Sequence, residues 1–373
     1  MDAVTAQQAF LKGLATQSET WSKRLSGMAK FLQDPPQVEV GATPHDVVYT
    51  ENKLRLLRYR PRKENRHATP VLVVYALVNR PYILDLQPDR SVVGRLVDAG
   101  FDVYLIDWGT PSPLDQWLTL DDYVNRYIDN CVDVVREESG SDQVTLLGYC
   151  MGGAMSVMYS ALHAEKVRNL IVMAAPLVHD EKVSDASLLN RWAQPEYFDV
   201  DRVVAAYGNA PGEFLDGGFQ SMKPVENLFS KYVGFTRSVT NDDFVENFLR
   251  METWSRDTIP VAGEAYRQFI RDLYQENKLA KGTLVLGGER VDLANLKMPM
   301  LLLTGQYDHL VPYQSTAGLL EATGSTDRDC IVVPTGHIGL SVSSRAHKEL
   351  WPKVCGWLAE RSGEAGGAAP SSS

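Results

Sequence analysis

The most regular pattern along the chain is a series of short, uninterrupted apolar runs. Runs of this kind, without alternating polar positions, are typical of strands buried on both faces of a sheet. Helix-length segments at 91–100 and 120–139 separate the early runs. This alternation predicts an α/β fold, in which a mostly parallel sheet lies between layers of helices. The runs are VLVVYAL (71–77), FDVYLIDW (101–108), QVTLLGY (143–149), NLIVMAA (169–175), MPMLLLTG (298–305) and CIVVPTG (330–336).

The first 60 residues follow two other patterns. Residues 1–33 place apolar side chains at helix-like spacings ahead of a DPPQ stop, which predicts an N-terminal helical segment over 1–40. Residues 45–51 and 54–61 alternate like two antiparallel strands joined around Asn52. The apolar positions of the predicted helix are Phe10, Leu11, Leu14, Trp21, Leu25, Met28 and Leu32.

The regular alternation ends between residues 176 and 296, where aromatic residues are frequent. Helical spacing over 241–256 and 260–277 predicts an inserted, mainly helical cap subdomain at 176–296. This insertion would divide the core into 41–175 and 297–361. The plainest interpretation of most of the aromatic residues is that they form the cap's own core. The small, polar residues 362–373 predict a disordered tail.

Composition and charge exclude several classes of function. The 373 residues carry a net charge of −10, which disfavours a nucleic-acid partner because phosphate binding needs a basic surface. The four cysteines form no CxxC pair, so we expect no metal site. The start of the chain lacks a signal-peptide pattern, and no apolar stretch is long enough to span a bilayer. These features together predict a cytoplasmic protein with free thiols.

The segment LLGYCMGGAM, residues 146–155, carries the first chemical signal. Cys150 follows a predicted strand, precedes a small-residue helix, and is flanked by Gly148 and Gly152. This is the pattern of a nucleophile elbow, in which serine is the usual residue. The N-terminus of the following helix carries partial positive charge, which favours a thiolate. The alternative is a buried cysteine that packs as a small apolar group.

A thiol nucleophile needs a base, and the base needs an orienting group. Asp308 follows the predicted strand at 298–305, and His337 follows the last one. The order Cys150, Asp308, His337 is the order of nucleophile, acid and histidine in the α/β-hydrolase fold. His309 is the nearest rival base, but it precedes the final strand. Asp107 also ends a strand, but it comes before the nucleophile.

Acyl transfer also needs an oxyanion hole. We expect one donor to be the backbone N–H of Met151. The other should lie in the loop after the 71–77 strand, where Val78 is the best candidate.

A sulfur nucleophile favours transfer of an acyl group over its hydrolysis. An acyl group that moves from a CoA thioester to cysteine remains a thioester, so it stays reactive toward an alcohol. An ester on serine would be less reactive. Such an enzyme must exclude water, which competes with the alcohol, and an aromatic cap would do so.

The chain resembles the polyhydroxyalkanoate synthases, in particular the catalytic subunit of the short class III enzymes. The matching pieces are GYCMGG, YALVNRPYILDLQPDRS (75–91), FDVYLIDWGTP (101–111), GQYDHLVP and GHIGL. The similarity extends from about residue 40 to residue 360. The length also fits class IV enzymes, which use a different partner.

The resemblance implies that a 3-hydroxyacyl-CoA, typically 3-hydroxybutyryl-CoA, acylates Cys150 after His337 deprotonates it. Asp308 would assist the 3-hydroxyl that attacks the growing chain's thioester, directly or through His337. The product would be a polyester held in cytoplasmic granules, with CoA released and no cofactor required. The implied partners are a second copy of the chain, a separate synthase subunit and the granule surface. The apolar face of the 1–33 helix would dock one of them, or it packs on its own core.

The resemblance does not identify the CoA-binding residues, and it leaves competing functions to be considered. An arginine should contact the CoA phosphates, and Arg80 and Arg90 are the candidates. The competing functions are a cysteine-dependent thioesterase or dienelactone-type hydrolase, which would use water, and a non-catalytic scaffold protein of the same fold.

Overall fold

The computed structural model describes residues 3–34, 36–62, 67–223 and 231–364. Contacts divide the chain into two compact units. We call the first the sheet unit, formed by Gly41–Asp216 and Asp257–Ser373, and the second the helical unit, formed by Met1–Val40 and Gly217–Arg256. No helix in the described part of the chain is both long and apolar enough to cross a membrane.

The sheet unit is built on an eight-stranded sheet with the order β1-β2-β4-β3-β5-β6-β9-β10. A separate short hairpin pairs β7 with β8. The strands are β1 (His45–Glu51), β2 (Leu54–Tyr59), β3 (Val71–Val74), β4 (Val103–Asp107), β5 (Val144–Tyr149), β6 (Val167–Met173), β7 (Val285–Leu286), β8 (Glu289–Arg290), β9 (Met300–Gly305) and β10 (Arg328–Val333).

The strands from β3 onward in the large sheet are parallel, as the apolar runs predict. Val71 pairs with Val103 on one side and Thr145 on the other, so β3, β4 and β5 start at one edge and end at the opposite edge. The antiparallel β1–β2 hairpin turns at Asn52, which has a φ of 52°. The carboxyl ends of the parallel strands therefore share one edge, where ligands bind in folds of this class.

Helices form most of the remaining structure of the two units. They are α1 (Ala3–Gln33), α2 (Val92–Asp98), α3 (Asp129–Ser139), α4 (Met151–Leu162), α5 (Glu181–Ala186), α6 (Leu188–Trp192), α7 (Val200–Tyr207), α8 (Gly212–Met222), α9 (Lys231–Ser238), α10 (Asp242–Arg256), α11 (Gly263–Gln268), α12 (Tyr313–Ala317), α13 (Gly339–Val342) and α14 (Trp351–Ala359). Wider π-helical turns at Asp122–Ile128, Phe269–Gln275 and Ala346–Leu350 adjoin α3, α11 and α14.

The core lies against the central strands. Every residue of β3, β4, β5 and β9 is buried, as the continuous apolar runs predict. The expectation of burial on both faces is wrong for the last run. β10 is the edge strand, and Arg328, Asp329, Cys330 and Val332 are exposed. Its apolar sequence does not reveal that only one strand flanks it.

The helical unit has a small core of its own. The ring of Phe235 in α9 packs on Phe31 of α1, with centroids 4.9 Å apart, and on Phe248 of α10, at 4.4 Å. Val239 and Val245 complete the buried part of this cluster.

The predicted domain boundaries, a separate segment at 1–40 and one cap at 176–296, differ from the division into the sheet unit and the helical unit. Only Gly217–Arg256 of that insertion groups with α1, and its remainder belongs to the sheet unit.

The beginning of the predicted tail is ordered, and that part of the prediction is wrong. The backbone N–H groups of Ala68 and Thr69 donate to the carbonyls of Gly363 and Ser362, at 3.1 and 3.0 Å. His67 and Glu364 form an isolated bridge. Residues 362–364 are therefore held beside the start of β3. The rest of the tail, from residue 365, lies outside the described residues.

Candidate active site

Cys150 occupies a sharp turn between β5 and α4. Its backbone has a φ of 56° and a ψ of −124°, a conformation that non-glycine residues adopt rarely. Its N–H donates to the carbonyl of Met173 at 2.9 Å, and its own carbonyl accepts from the N–H of Gly153 at 2.9 Å. The strained turn projects the side chain from the end of the sheet, as a nucleophile elbow requires.

Glycines allow this turn to pack against its neighbours. A Cβ at Gly152 would lie 2.1 Å from the carbonyl oxygen of Val74 in β3. A Cβ at Gly148 would lie 2.5 Å from the Cα of Gly153. Gly153 was not predicted to matter, although a Cβ there would lie 2.6 Å from the Cβ of Ala175. The Gly-Gly pair that follows Met151 is the sequence feature that could have indicated this close contact.

Asp308 and His337 form a buried pair. The Nδ1 atom of His337 lies 2.7 Å from Oδ2 of Asp308, and both residues are 6% exposed. The other carboxylate oxygen accepts from the backbone N–H groups of Leu310 and Val311, each at 2.9 Å. The carboxylate is thereby fixed toward the imidazole. His309, the rival base, is only half-buried.

The charge of Cys150 also acts on the His337 ring. Burial by itself lowers the pKa of His337, but the charge of Asp308, the charge of Cys150 and the hydrogen bond with Asp308 outweigh it, so that pKa is raised well above its ordinary value. Tyr149 supports the imidazole from the other side. Its hydroxyl donates to the His337 carbonyl at 3.0 Å, and its ring stacks on the imidazole at 5.3 Å. The three residues predicted from chain order therefore meet at one place.

The two predicted oxyanion donors lie on adjacent segments. Met151 is the first residue of α4, where backbone N–H groups have no partner within the helix. Val78 is half-buried and lies in the loop that follows Val74, the last residue of β3. Gly152 approaches the carbonyls of Val74 and Tyr75, so this loop begins beside the elbow. The next residue, Asn79, has a φ of 60°, which marks a sharp turn here.

The two arginines suggested for CoA have protein partners. Nε of Arg80 lies 3.3 Å from the Asp257 carboxylate, and its Nη2 donates to the Thr110 hydroxyl at 3.0 Å. Arg90 lies beside Asp89, with Nε 3.6 Å from the carboxylate. Arg80 shares the loop of Val78, whereas Arg90 immediately precedes the Ser91 cap of α2. No His, Cys, Asp or Glu cluster within the described residues has the arrangement of a metal site.

Three buried tyrosines near the sulfur were not found by sequence reasoning. Burial, followed by the charge of Cys150, raises the pKa of Tyr75 and Tyr274 well above the ordinary value. Tyr149 is affected in the same way, with Tyr75 as an additional cause. Tyr149 could have been suspected because it precedes Cys150. Tyr75 and Tyr274 have no such signal, because the sequence alone does not distinguish a tyrosine near a site from one in the core.

Comparison with known proteins agrees with this architecture. The family model of the alpha/beta hydrolase fold matches residues 69–343. A crystal structure of a soluble variant of monoglyceride lipase from Saccharomyces cerevisiae aligns with a TM-score of 0.57 at 11% identity. The alignment covers 87% of this chain and 97% of that one. The protein therefore has the α/β-hydrolase fold, as predicted, with a cysteine at the elbow.

More specific matches identify the family. A model described as the poly-beta-hydroxybutyrate polymerase (PhaC) N-terminus matches residues 4–96. The poly(3-hydroxyalkanoate) polymerase subunit PhaC of Haloferax mediterranei is 57% identical over 91% of this chain and 68% of its own length. Its counterpart in Allochromatium vinosum is 47% identical over 91% and 95%. The chain belongs to the poly(3-hydroxyalkanoate) polymerase family and is an acyltransferase, which confirms the predicted resemblance.

Proposed function

We propose that the polymerase carries its acyl group as a thioester on Cys150, with His337 and Asp308 as the other members of the catalytic group. The observation that supports this most directly is the buried 2.7 Å contact between His337 and Asp308 beside a cysteine in a strained elbow. Nucleophile, base and orienting group are then in the relation that acyl transfer requires.

The proposed first step is removal of the thiol proton. The raised pKa of His337 suits a base, and in the proposed step its imidazole takes the proton from the Cys150 thiol. The positive end of α4 also favours negative charge on the sulfur. Transfer of this proton leaves a thiolate and an imidazolium, with Asp308 stabilising the charged ring.

Acylation then follows from this pair. The thiolate attacks the carbonyl carbon of a 3-hydroxyacyl-CoA, typically 3-hydroxybutyryl-CoA. The N–H groups of Met151 and Val78 stabilise the oxyanion. The bond to the CoA sulfur breaks, and the leaving thiolate takes the proton from His337. One thioester replaces another, so the acyl group remains reactive.

Elongation uses the 3-hydroxyl of one acyl group to attack the thioester of the growing chain. The hydroxyl oxygen forms the ester bond, the bond from carbonyl carbon to sulfur breaks, and Asp308 or His337 receives the hydroxyl proton. A cysteine thioester suits this step because an ester on serine would react less readily with an alcohol.

For binding of the CoA phosphates, Arg80 and Arg90 remain the candidates. Arg80 would exchange the Asp257 carboxylate for phosphate.

The proposed partners are a second copy of the chain, a separate synthase subunit and the surface of a cytoplasmic polyester granule. The word subunit in the names of the relatives supports a partner chain. Trp21, Leu25 and Leu32 on α1 are 61%, 67% and 73% exposed, and their spacing places them on one helix face. An apolar face of this kind is suited to docking.

The test is to give the purified chain 3-hydroxybutyryl-CoA, with and without a candidate second subunit, and to follow CoA release and turbidity together. We expect both signals from the wild type and neither from Cys150→Ala. Cys150→Ser should fold but turn over poorly. Release of CoA with only free 3-hydroxybutyrate would support a hydrolase instead. Loss of activity on iodoacetamide labelling of Cys131 would contradict our choice of nucleophile.

A further inference from the structure

Tyr149 is a fully buried tyrosine that connects the nucleophile elbow to the histidine of the site. It is the last residue of β5 and directly precedes Cys150 in the chain. Its hydroxyl donates to the backbone carbonyl of His337 at 3.0 Å, and its ring stacks on the imidazole with centroids 5.3 Å apart. One side chain therefore holds both the backbone and the ring of a residue 188 positions away.

The topology of the sheet explains why His337 needs such a tether. His337 follows β10, and β6 and β9 lie between β10 and β5 in the strand order. The loop after β10 must therefore reach back past two strands to contact Tyr149. Among the described residues, the other donor to the His337 carbonyl is the N–H of Leu340 at 3.3 Å, in the adjoining α13. The hydroxyl of Tyr149 thus ties this backbone to the elbow strand.

The ring of Tyr149 is itself fixed by its neighbours. It packs edge to face against the ring of Tyr75, with centroids 5.5 Å apart. Tyr75 begins the loop of Val78 after β3, and its carbonyl accepts from Nε1 of Trp108 at 3.0 Å. A continuous series of contacts therefore connects the proposed oxyanion loop, through Tyr149, to His337.

Contact with a carboxylate decides whether a buried histidine can act as a base. His179, in the loop after β6, is also buried, but its Nδ1 lies 2.6 Å from the amide oxygen of Asn190, and burial lowers its pKa to about 4. Burial also lowers the pKa of His337, but the charges of Asp308 and Cys150 outweigh it and raise that pKa well above the ordinary value. An imidazole that moved away from Asp308 would therefore become a weaker base.

We propose that Tyr149 is a positioning residue that holds the His337 imidazole in line with Asp308 while the thiol proton is transferred. The inference rests on the proposed roles of Cys150 and His337. The hydroxyl fixes the backbone of the base, and the ring covers one face of the imidazole, so the imidazole keeps its orientation when it gains the proton. Such control matters because displacement of a reacting group by about 1 Å can lower a rate about 100-fold.

The experiment measures acylation of Cys150 by 3-hydroxybutyryl-CoA in single turnover, by mass spectrometry of the intact protein, over a range of substrate concentrations and pH. Tyr149→Phe removes the hydroxyl and keeps the ring. We expect the rate at saturating substrate to fall about 10-fold, with the half-saturating concentration unchanged. Denaturant titration shows that each variant is folded.

The pH dependence separates positioning from a general structural role. A base must be neutral to accept a proton, so the acylation rate rises with pH as His337 loses its proton. Because the pKa of His337 is raised, the wild-type midpoint of this rise should lie above 6.5. In Tyr149→Phe the contact with Asp308 is weaker, so the midpoint should move down by about one pH unit.

Tyr159→Phe is the matched control. Tyr159 in α4 is also fully buried, donates to the Asp129 carboxylate at 2.8 Å, and packs on a histidine, His163, with centroids 4.6 Å apart. Neither partner belongs to the proposed catalytic group, so this variant should keep the wild-type rate and midpoint. Tyr149→Met fills the buried space without a ring or a hydroxyl, and it should lower the rate about 10-fold further than Tyr149→Phe.

Four results would overturn the inference. One is a wild-type midpoint at or below 6.5, which needs no variant to fold. Another is an unchanged rate and midpoint in Tyr149→Phe. The third is a fall in rate with no shift of the midpoint, and the fourth is an equal effect of Tyr159→Phe. Absence of any acyl group on Cys150 in the wild type would instead reject the proposed function, and this inference with it.

Discussion

The sheet unit and the helical unit stabilise their structures in different ways. In the sheet unit whole strands are buried, and the elbow is fixed by backbone contacts that leave no room for a single methyl group. In the helical unit the core is a small cluster around Phe235, and large apolar side chains of α1 remain exposed. A glycine in α9, Gly234, has no neighbour within 4 Å of a Cβ added there, whereas Gly152 has three within 2.6 Å.

The difference is the one expected if the proposed catalysis constrains the sheet unit and the proposed docking constrains the helical unit. A reacting sulfur must be held within a fraction of an ångström, which close packing of strands and glycines achieves. A helical unit with a small core and exposed apolar residues is better suited to docking on another chain or on an apolar surface. The predictions below test this contrast from its largest expected effect to its smallest.

Addition of one methyl group at a glycine should lower the stability of the sheet unit and raise that of the helical unit. In Gly152→Ala the Cβ would meet the Val74 and Tyr75 carbonyls at 2.1 and 2.6 Å, so the elbow must shift. We expect the free energy of unfolding to fall by more than about 3 kcal/mol and polymerisation to be lost. Denaturant titration and the turbidity assay measure these two quantities.

Gly234→Ala is the control for that prediction. A Cβ in the middle of α9 meets nothing and improves helix propensity, so this variant should gain about 1 kcal/mol. Equal destabilisation by both substitutions would remove the contrast between the units.

Truncation of the small aromatic cluster should unfold the helical unit locally. Phe235→Ala removes the ring that contacts both Phe31 and Phe248, at a cost of about 3 kcal/mol. Hydrogen exchange should become faster in α1, α9 and α10 and stay slow in β5 and α4. If protection is lost equally in all of these elements, the two units do not unfold separately.

The sheet unit should also lose stability in mild acid through His179. Its pKa of about 4 lies below the ordinary 6.5, so between these values the unfolded chain binds a proton that the folded chain does not. Its contribution to the free energy of unfolding should therefore fall by about 2 kcal/mol from pH 7 to pH 5. Denaturant titrations of the wild type and His179→Gln at both pH values give the difference. An identical pH dependence in the two proteins would contradict the assignment.

Removal of the exposed apolar residues of α1 should leave folding nearly unchanged. Trp21→Gln and Leu25→Gln should each alter the free energy of unfolding by less than about 0.5 kcal/mol, because both side chains are largely exposed. Self-association, or binding to a second subunit, should weaken in sedimentation experiments. Lys23→Gln, on the same helix and 69% exposed, is the control and should leave association intact.

Chain order and local pattern were sufficient to predict the main features of the sheet unit. Buried parallel strands require continuous apolar runs, and the elbow requires glycines around Cys150, so both leave clear marks in the sequence. Asp308 and His337 were found because each follows a strand whose carboxyl end reaches the same edge. Their roles in catalysis remain predictions, although the structure brings their side chains together.

Features that depend on distant residues could not be predicted. Asp257, the partner of Arg80, is 177 positions away and carries no local signal. Tyr274 cannot be told from any other core tyrosine in the sequence, because its ring packs on His179, which is distant along the chain. The packing of α1 on residues 231–256 was missed for the same reason, since periodicity gives a helix's face but not its neighbour.

The ordered segment at 362–364 has a practical consequence for engineering. It is tied to residues 67–69 at the edge where β3 starts, whereas Cys150 follows the end of the neighbouring parallel strand β5. A strand of six residues is about 20 Å long, so the two places are on opposite rims of the sheet. A fluorescent label or display cargo grafted beyond residue 364 would therefore start on the rim remote from the proposed site of polymer synthesis. Such fusions could decorate the material without obstructing its synthesis.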